Sequence, residues 1–290
     1  MGRREVKTLS GKIKLGLLSS IFLTRPYSWI HSFLIGVLAA VIASQVNAFS
    51  FIMAGFESVL LYILLCSILE TKHKEVGRPL LPRLTLLVVF VVSLLIALQT
   101  ELSIAFYGGF VILSYLYSLK KIEGFGLFSF VARGLMVITQ FFVIFFIFNA
   151  QLSILPVVFA LALALLMSAR NLIGDIRDIK TDKTTFPAVF GKRASLQICS
   201  LMLLLAAGLL AAIGSYLLAS LVILLLALIL FIKNAFILHR VLIVYTTIIL
   251  SLALFQMLNN YLFILLIPVD ALTNIYFYKK IFRKANSKTK

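Results

Sequence analysis

Long apolar runs separated by short polar joints set the pattern of this chain. A bilayer core about 30 Å thick takes roughly 20 apolar residues of helix to cross. Ten runs near that size are legible, at 28–45, 50–69, 84–99, 102–118, 127–148, 153–172, 195–214, 217–233, 239–257 and 260–278. Those at 84–99 and 217–233 are short, so tilt or local thinning would have to accommodate them. Brief joints predict one all-α, polytopic transmembrane helical bundle over 28–278. Residues 1–27 read differently. Leu9, Ile13, Leu17 and Ile21 recur every fourth position beside Lys7, Lys12 and Lys14, which predicts an amphipathic helix lying on the membrane surface. No apolar stretch with a small-residue cleavage site follows the basic start, so a cleaved signal peptide is not expected.

Composition agrees with the pattern. Hydrophobic residues make up 62% and charged residues 13% of the 290 positions, far from the values of water-soluble domains, and disordered or disulfide-scaffold classes are excluded with them. Cys66 and Cys199 both sit in apolar runs, and His31, His73 and His239 are scattered, so neither a Cys-based nor a His-rich metal site is expected. The net charge of +17, from 27 Lys+Arg against 10 Asp+Glu, would in a soluble protein point to nucleic acid. Its placement points elsewhere. Every basic group falls at the amino-terminal segment, the tail at 279–290, or alternate joints around Lys72–Arg83, Lys120–Arg133, Arg170–Arg193 and Lys233–Arg240. The intervening joints at 44–47, 99–101, 149–151, 214–215 and 258–260 have no basic residue. The positive-inside rule places both termini in the cytoplasm, with the lipid bilayer rather than nucleic acid as the partner.

Polar residues inside the runs are few: Glu57, Gln140, Gln256, Asp270 and Asn274. Glu57 and Asp270 either mark an ion path, which makes a transporter one reading, or bond to neighbouring helices. The densest polar constellation lies after the sixth run, where Asn171, Asp175, Asp178 and Asp182 are spaced to share one face of a helix continuing from it. Three clustered carboxylates repel one another unless a cation shares them, and an oxygen-only set suits Mg²⁺ bridging to phosphate. Arg170, Arg177, Lys180 and Lys183 add charge for an anionic ligand. The competing reading is a solvated juxtamembrane helix with ordinary ion pairs.

The Asp175–Asp178–Asp182 stripe, followed by Thr185-Phe186-Pro187-Ala188-Val189-Phe190-Gly191-Lys192-Arg193, resembles the second aspartate-rich motif of the UbiA superfamily of intramembrane prenyltransferases. Arg25-Pro26 with Trp29 before the first run, and Tyr117-Ser118 with Lys120 after the fourth, resemble further family segments, so the likeness runs from about residue 25 to 258. The resemblance implies a UbiA-like bundle of nine to ten spans with a cytoplasmic-facing active site. There a polyprenyl diphosphate, bound through Mg²⁺, gives up its chain to a lipophilic acceptor, commonly an aromatic quinone precursor. By position, Asp175, Asp178, Asp182 and Glu70 would hold metal, and Asn171, Lys183, Arg78, Lys74, Tyr117 and Lys120 would face the substrate.

The first aspartate-rich motif of that family departs here. Ser67-Ile68-Leu69-Glu70-Thr71-Lys72-His73-Lys74-Glu75 keeps one carboxylate at matching spacing, with Glu75 one residue out of register, although Arg78-Pro79 fits. Three readings follow: a transferase in which lysines meet phosphate directly, a shifted loop in which Glu75 compensates, or a non-catalytic relative that binds lipid or a partner protein. The linker from Asp182 to Pro187 is also shorter than is usual in the family. Phe141, Phe142, Phe145 and Phe146 either line an isoprenoid tunnel or pack between helices. No Cys or Ser nucleophile motif and no Gly-rich phosphate loop occurs, so covalent catalysis and nucleotide hydrolysis are not expected.

Overall fold

Each apolar run becomes a helix. The protein, seen as a computed structural model, is described at residues 25, 28–73, 80–119, 126–180 and 182–278. Apart from Arg25, the segment at 1–27 lies outside the described residues, as does the tail at 279–290. The helices are α1 Trp29–Ile42, α2 Ala48–His73, α3 Leu80–Ala97, α4 Glu101–Ser118, α5 Ser129–Ile147, α6 Ile154–Arg177, α7 Phe186–Ala212, α8 Tyr216–Phe231, α9 Ala235–Leu258 and α10 Leu262–Thr273. No strand occurs among the described residues. Five helices contain stretches long and apolar enough to cross a bilayer, namely Ala48–Leu69, Gly126–Ile147, Ile154–Arg177, Phe186–Ala212 and Ala235–Leu258, and α1, α8 and parts of α3 and α10 are shorter apolar helices.

Consecutive helices pack side by side and alternate in direction, as the cross-helix bonds show. At one end Arg170, near the finish of α6, reaches Ser28 before α1, while at the other Thr100 before α4 reaches the carbonyl of Phe146 at the finish of α5. Joints at the second end are closed by single residues in the left-handed region, Ser44, Asn149, Gly214 and Asn259, the conformation that caps a helix and turns the chain within a few positions. Among the described residues, the basic joints after α6 and after α8 both belong to the first end, where Lys192 of α7 donates to the Lys233 carbonyl.

Two hydrophobic cores meet on α5. One joins α1, α5, α6, α7, α8 and α9, and the other joins α2, α3, α4 and α5. Phe141, Phe142, Phe145 and Phe146 are buried, and they stack on one another and, from α4, on Phe106 at ring separations of 5.1 to 6.3 Å. These rings are packing between helices, not walls of an open tunnel. Outside, α3 presents Leu84, Leu87, Val91 and Leu95, and α10 presents Leu265, Val269 and Leu272. Such a wide exposed apolar girdle fits lipid rather than water.

Three boundaries differ from the apolar runs. Helix α6 continues past 172 to Arg177, because polar residues beyond the apolar run still keep backbone ladder bonds. It ends where Asp178 caps it, and the residues that follow are rich in Asp and Thr, which favour turns over helix. Asp178 and Asp182 therefore lie beyond the helix that carries Asn171 and Asp175. Helix α7 begins at Phe186 and is interrupted at Gly191, whose φ of +84° no helical residue adopts. Helix α10 contains Pro268 and loosens into a π-turn over Asn274–Tyr278.

Helix α5 approaches α6 closely at Gly134, where a Cβ would come within 2.9 Å of the Ala164 carbonyl and collide with the Ser168 hydroxyl. Gly208 on α7 has nothing within 4 Å of the same position. Gly134→Ala is expected to destabilise the protein by about 1–3 kcal/mol through overpacking. Gly208→Ala should leave it unchanged or more stable by up to about 1 kcal/mol. Thermal unfolding of both variants in the same detergent checks the contrast.

Candidate active site

At the end of the bundle that carries the basic joints, the carboxylate of Asp175 is 2% exposed. Burial of a charge at that depth costs several kcal/mol unless hydrogen bonds replace water. Among the described residues, two side chains supply such bonds. The Ser129 hydroxyl, at the first residue of α5, donates to Asp175 Oδ2 at 2.7 Å, and the Asn171 amide, one turn earlier on α6, donates to the same oxygen at 3.3 Å. The Tyr117 hydroxyl, in the last turn of α4, donates to Asn171 Oδ1 at 2.8 Å. A chain Tyr117–Asn171–Asp175–Ser129 thus ties α4, α6 and α5 at one level. Of its members, Tyr117, Asn171 and Asp175 are sequence-predicted. Ser129 carries no local signal beyond being a polar residue at the start of an apolar run.

Asp178 is engaged differently. The Arg177 guanidinium forks onto its two oxygens, Nε to Oδ1 at 2.7 Å and Nη2 to Oδ2. Arg177 Nη1 also lies 3.1 Å from His239 Nδ1 in the first turns of α9. The Asp178 side chain is 30% exposed, so it faces the mouth of the site while Asp175 forms its floor. Asp182 is half-buried, and its backbone N–H donates to the Asp178 carbonyl at 2.9 Å. Lys183 is exposed. Among the described residues, no three His, Cys, Asp or Glu side chains stand close enough together to hold a metal ion. Glu70 falls near the end of α2, but its side chain lies outside the described residues, as do Lys74, Arg78 and Lys120.

A second layer sits deeper. Arg170 is 8% exposed, with Nη1 at 3.1 Å from His31 Nε2 of α1 and Nη2 donating to the Ser28 hydroxyl at 3.1 Å. His31 meets the Tyr62 ring of α2 edge-on at 6.1 Å, and the Arg133 guanidinium of α5 lies over that same ring at 5.5 Å. His31 and His239 are therefore partners of Arg170 and Arg177. Pairs 139 and 62 positions apart leave no trace in local spacing.

Of the acids inside the runs, Asp270 lies within electrostatic reach of Arg170. Glu57 on α2 is fully buried, and neither of its oxygens has a hydrogen-bond partner among the described residues. Asp270 on α10 accepts from Thr247 of α9 at 2.9 Å. Gln140 of α5 donates to the carbonyl and hydroxyl oxygens of Ser58 on α2. Interhelical bonding accounts for Gln140 and for Asp270 Oδ2, while Asp270 Oδ1 is buried with no hydrogen-bond partner among the described residues.

Neither a family model nor a curated protein sequence matches the chain. Solved structures do match its fold. A UbiA homologue from Archaeoglobus fulgidus bound to Cd²⁺ superposes with a TM-score of 0.62 at 15% identity, covering 80% of this chain and 99% of that one. A UbiA homologue from the same organism bound to GPP and Mg²⁺ gives 0.63 at 14% identity, over 83% and 99%. A digeranylgeranylglyceryl phosphate synthase gives 0.63 at 17% identity, over 84% and 99%. The fold is UbiA-like.

Ser129→Ala removes the shorter of the two bonds to a buried carboxylate and is expected to cost about 1–3 kcal/mol. Ser153→Ala, at an exposed position that makes no side-chain cap bond, should change stability by less than about 0.5 kcal/mol. Unfolding midpoints of the two variants, measured side by side, check the difference.

Proposed function

We propose that the protein is a multi-pass membrane prenyltransferase of the UbiA type, Mg²⁺-dependent. In this reading it moves a polyprenyl chain from its diphosphate to a lipophilic acceptor at the cytoplasmic face. The observation that carries this reading is the buried Asp175 with its Asn171–Tyr117 relay, placed under the basic end of a UbiA-like bundle. Structural neighbours with the same fold were solved with GPP and Mg²⁺ and with DMAPP and Mg²⁺, which supports a prenyl diphosphate as donor here.

The donor chemistry of the site fits the metal. Asp175 and Asp178 present hard carboxylate oxygens, and Mg²⁺ commonly binds through one or two carboxylates with substrate phosphates and water completing its shell. A preassembled cage of three acids is not required. Asp175 and Asp178 are the ligands in this reading, with Asp182 and Glu70 as further carboxylates. When bound, Mg²⁺ would neutralise charge building on the departing diphosphate. Lys183, Lys74, Arg78 and Lys120 would meet phosphate oxygens as point charges. Asn171, held by Tyr117, keeps Asp175 oriented, and Arg177 yields one side of Asp178 when a ligand arrives. In the transfer, the C1–O bond of the donor breaks with its electron pair passing to diphosphate. The acceptor's nucleophilic atom then bonds C1, and its proton leaves to diphosphate or water. Buried apolar side chains around the site would keep water from the allylic cation. An aromatic quinone precursor is one acceptor in keeping with the fold. The digeranylgeranylglyceryl phosphate synthase among the neighbours makes a glyceryl phosphate lipid another. The charge asymmetry of the joints supports cytoplasmic termini.

Membranes containing the protein should release diphosphate from geranyl diphosphate when a suitable acceptor is added, and EDTA should stop the release. Asp178→Asn is expected to lower the rate by two orders of magnitude or more, equivalent to about 2.7 kcal/mol of transition-state stabilisation, with its unfolding midpoint retained. An unchanged rate would remove Asp178 from the metal site. Tight geranyl diphosphate binding without diphosphate release would favour the non-catalytic reading.

A further inference from the structure

Helix α8 is short for its place in the bundle. Its 16 residues rise about 24 Å, against a bilayer core of about 30 Å. At the second end it begins with an exposed Tyr216, a residue suited to the membrane interface, so the shortfall falls at the basic end. There α6 and α7, with 24 and 27 residues, run beside it. The joint after Phe231 covers the remaining depth as extended chain, with ψ of 98° at Ile232 and 108° at Asn234. A short helix between longer ones leaves a notch at the depth where acyl chains meet headgroups.

The notch is a cleft of about 100 Å³. Ile173 and Ile176 of α6, Leu196 of α7 and Ile229 of α8 wall it, and the exposed Lys192 and Lys233 stand at its rim. Lys192 Nζ donates to the Lys233 carbonyl at 3.1 Å, which holds one ammonium group beside the mouth. Among the described residues no carboxylate pairs with either lysine. Leu230 also lines the cleft and is 70% exposed, so the opening continues onto the lipid-facing side of α8. Ile173 lies two positions from both Asn171 and Asp175, hence across α6 from them. The cleft is therefore separate from the aspartate site.

We propose that this cleft is the seat of an anionic phospholipid from the leaflet at the basic end, the cytoplasmic one in the orientation given above. Its phosphate meets Lys192 and Lys233, and the first methylenes of one acyl chain lie against the isoleucines and Leu196. The apolar walls are what select a lipid, since a free phosphate ion would leave them uncovered. A cleft of this size takes only the upper part of a chain, and the remainder runs along Leu230 among the other lipids. Two lysines at the headgroup are worth about 10-fold or more in preference over a zwitterionic lipid. The seat stands on this geometry and does not depend on the prenyl-transfer reading.

The test uses the full-length protein in phosphatidylcholine nanodiscs that contain a trace of photoreactive lipid. The probe is phosphatidylglycerol or phosphatidylcholine with the same diazirine in the acyl chain near the glycerol, and labelled peptides are identified by mass spectrometry. Phosphatidylglycerol should label the peptides around Leu196 and 229–238 about 10-fold more than phosphatidylcholine does. K192Q and K233Q should each lower that preference by about 3- to 5-fold, and together they should abolish it. R193Q removes an exposed cation that does not line the cleft and should leave the preference unchanged. A235F fills the cleft from α9 without altering charge and should reduce labelling at these peptides by both probes. If A235F does not fold, the contrast between R193Q and the two lysine variants, all at exposed positions, decides the matter. Equal labelling by the two probes in wild type overturns the proposal. So does a preference lost as fully in R193Q as in K192Q/K233Q, which would mark diffuse surface charge, or labelling abolished by excess inorganic phosphate, which would assign the rim to a free ion.

Discussion

A carboxylate buried at the end of α6 sets the terms for the rest of this structure. Asp175 is out of water, and a buried charge must be met by donors fixed in place. Ser129 and Asn171 meet it, and Tyr117 fixes Asn171 in turn. Three helices must therefore end at one level. The tight α5–α6 approach at Gly134 puts Ser129 within reach, and the stacked phenylalanines on α5 hold α4 beside it. Packing in the membrane interior thus has a consequence at the membrane surface.

Positive charge is arranged around this carboxylate in layers. Arg177 covers Asp178 at the mouth, Arg170 latches α1 to α6 through His31 and Ser28, and Arg133 lies deeper over Tyr62. Cations thus stand at three depths, with Asp175 and Asp178 at the upper level and the buried Asp270 within electrostatic reach of Arg170. The burial of Asp175, Arg170 and Arg133 distinguishes the site from an ordinary solvated helix end, where charges pair locally and face water.

The fold was legible because a bilayer imposes length and composition on each helix. Every apolar run corresponds to one observed helix, most boundaries falling within about four residues. The misses have local causes: Asp175 sits on a helix that outruns its apolar stretch, and Gly191 bends what the hydropathy pattern treats as a joint. Within the site, Asn171 and Asp175 were readable because i, i+4 spacing places them together on any helix. The aligned stripe did not extend to Asp178 and Asp182, since the helix stops first. Ser129, His31, His239 and Arg133 were out of reach, because their partners lie in other helices and only tertiary packing brings them in. His31 and His239 in particular read as scattered and turn out to flank the two arginines of the motif.

The central claim is that Asp175 and Asp178 form the floor and mouth of a diphosphate site. The most direct test is an experimental structure of the protein with geranyl diphosphate and Mn²⁺ in place of Mg²⁺, using the anomalous signal of the metal to locate it. The account predicts a metal peak within coordination distance, about 2.0–2.3 Å, of an Asp175 or Asp178 oxygen, bridged to the diphosphate. A metal and diphosphate bound elsewhere in the bundle, with both aspartates still held by their helix partners, would contradict it.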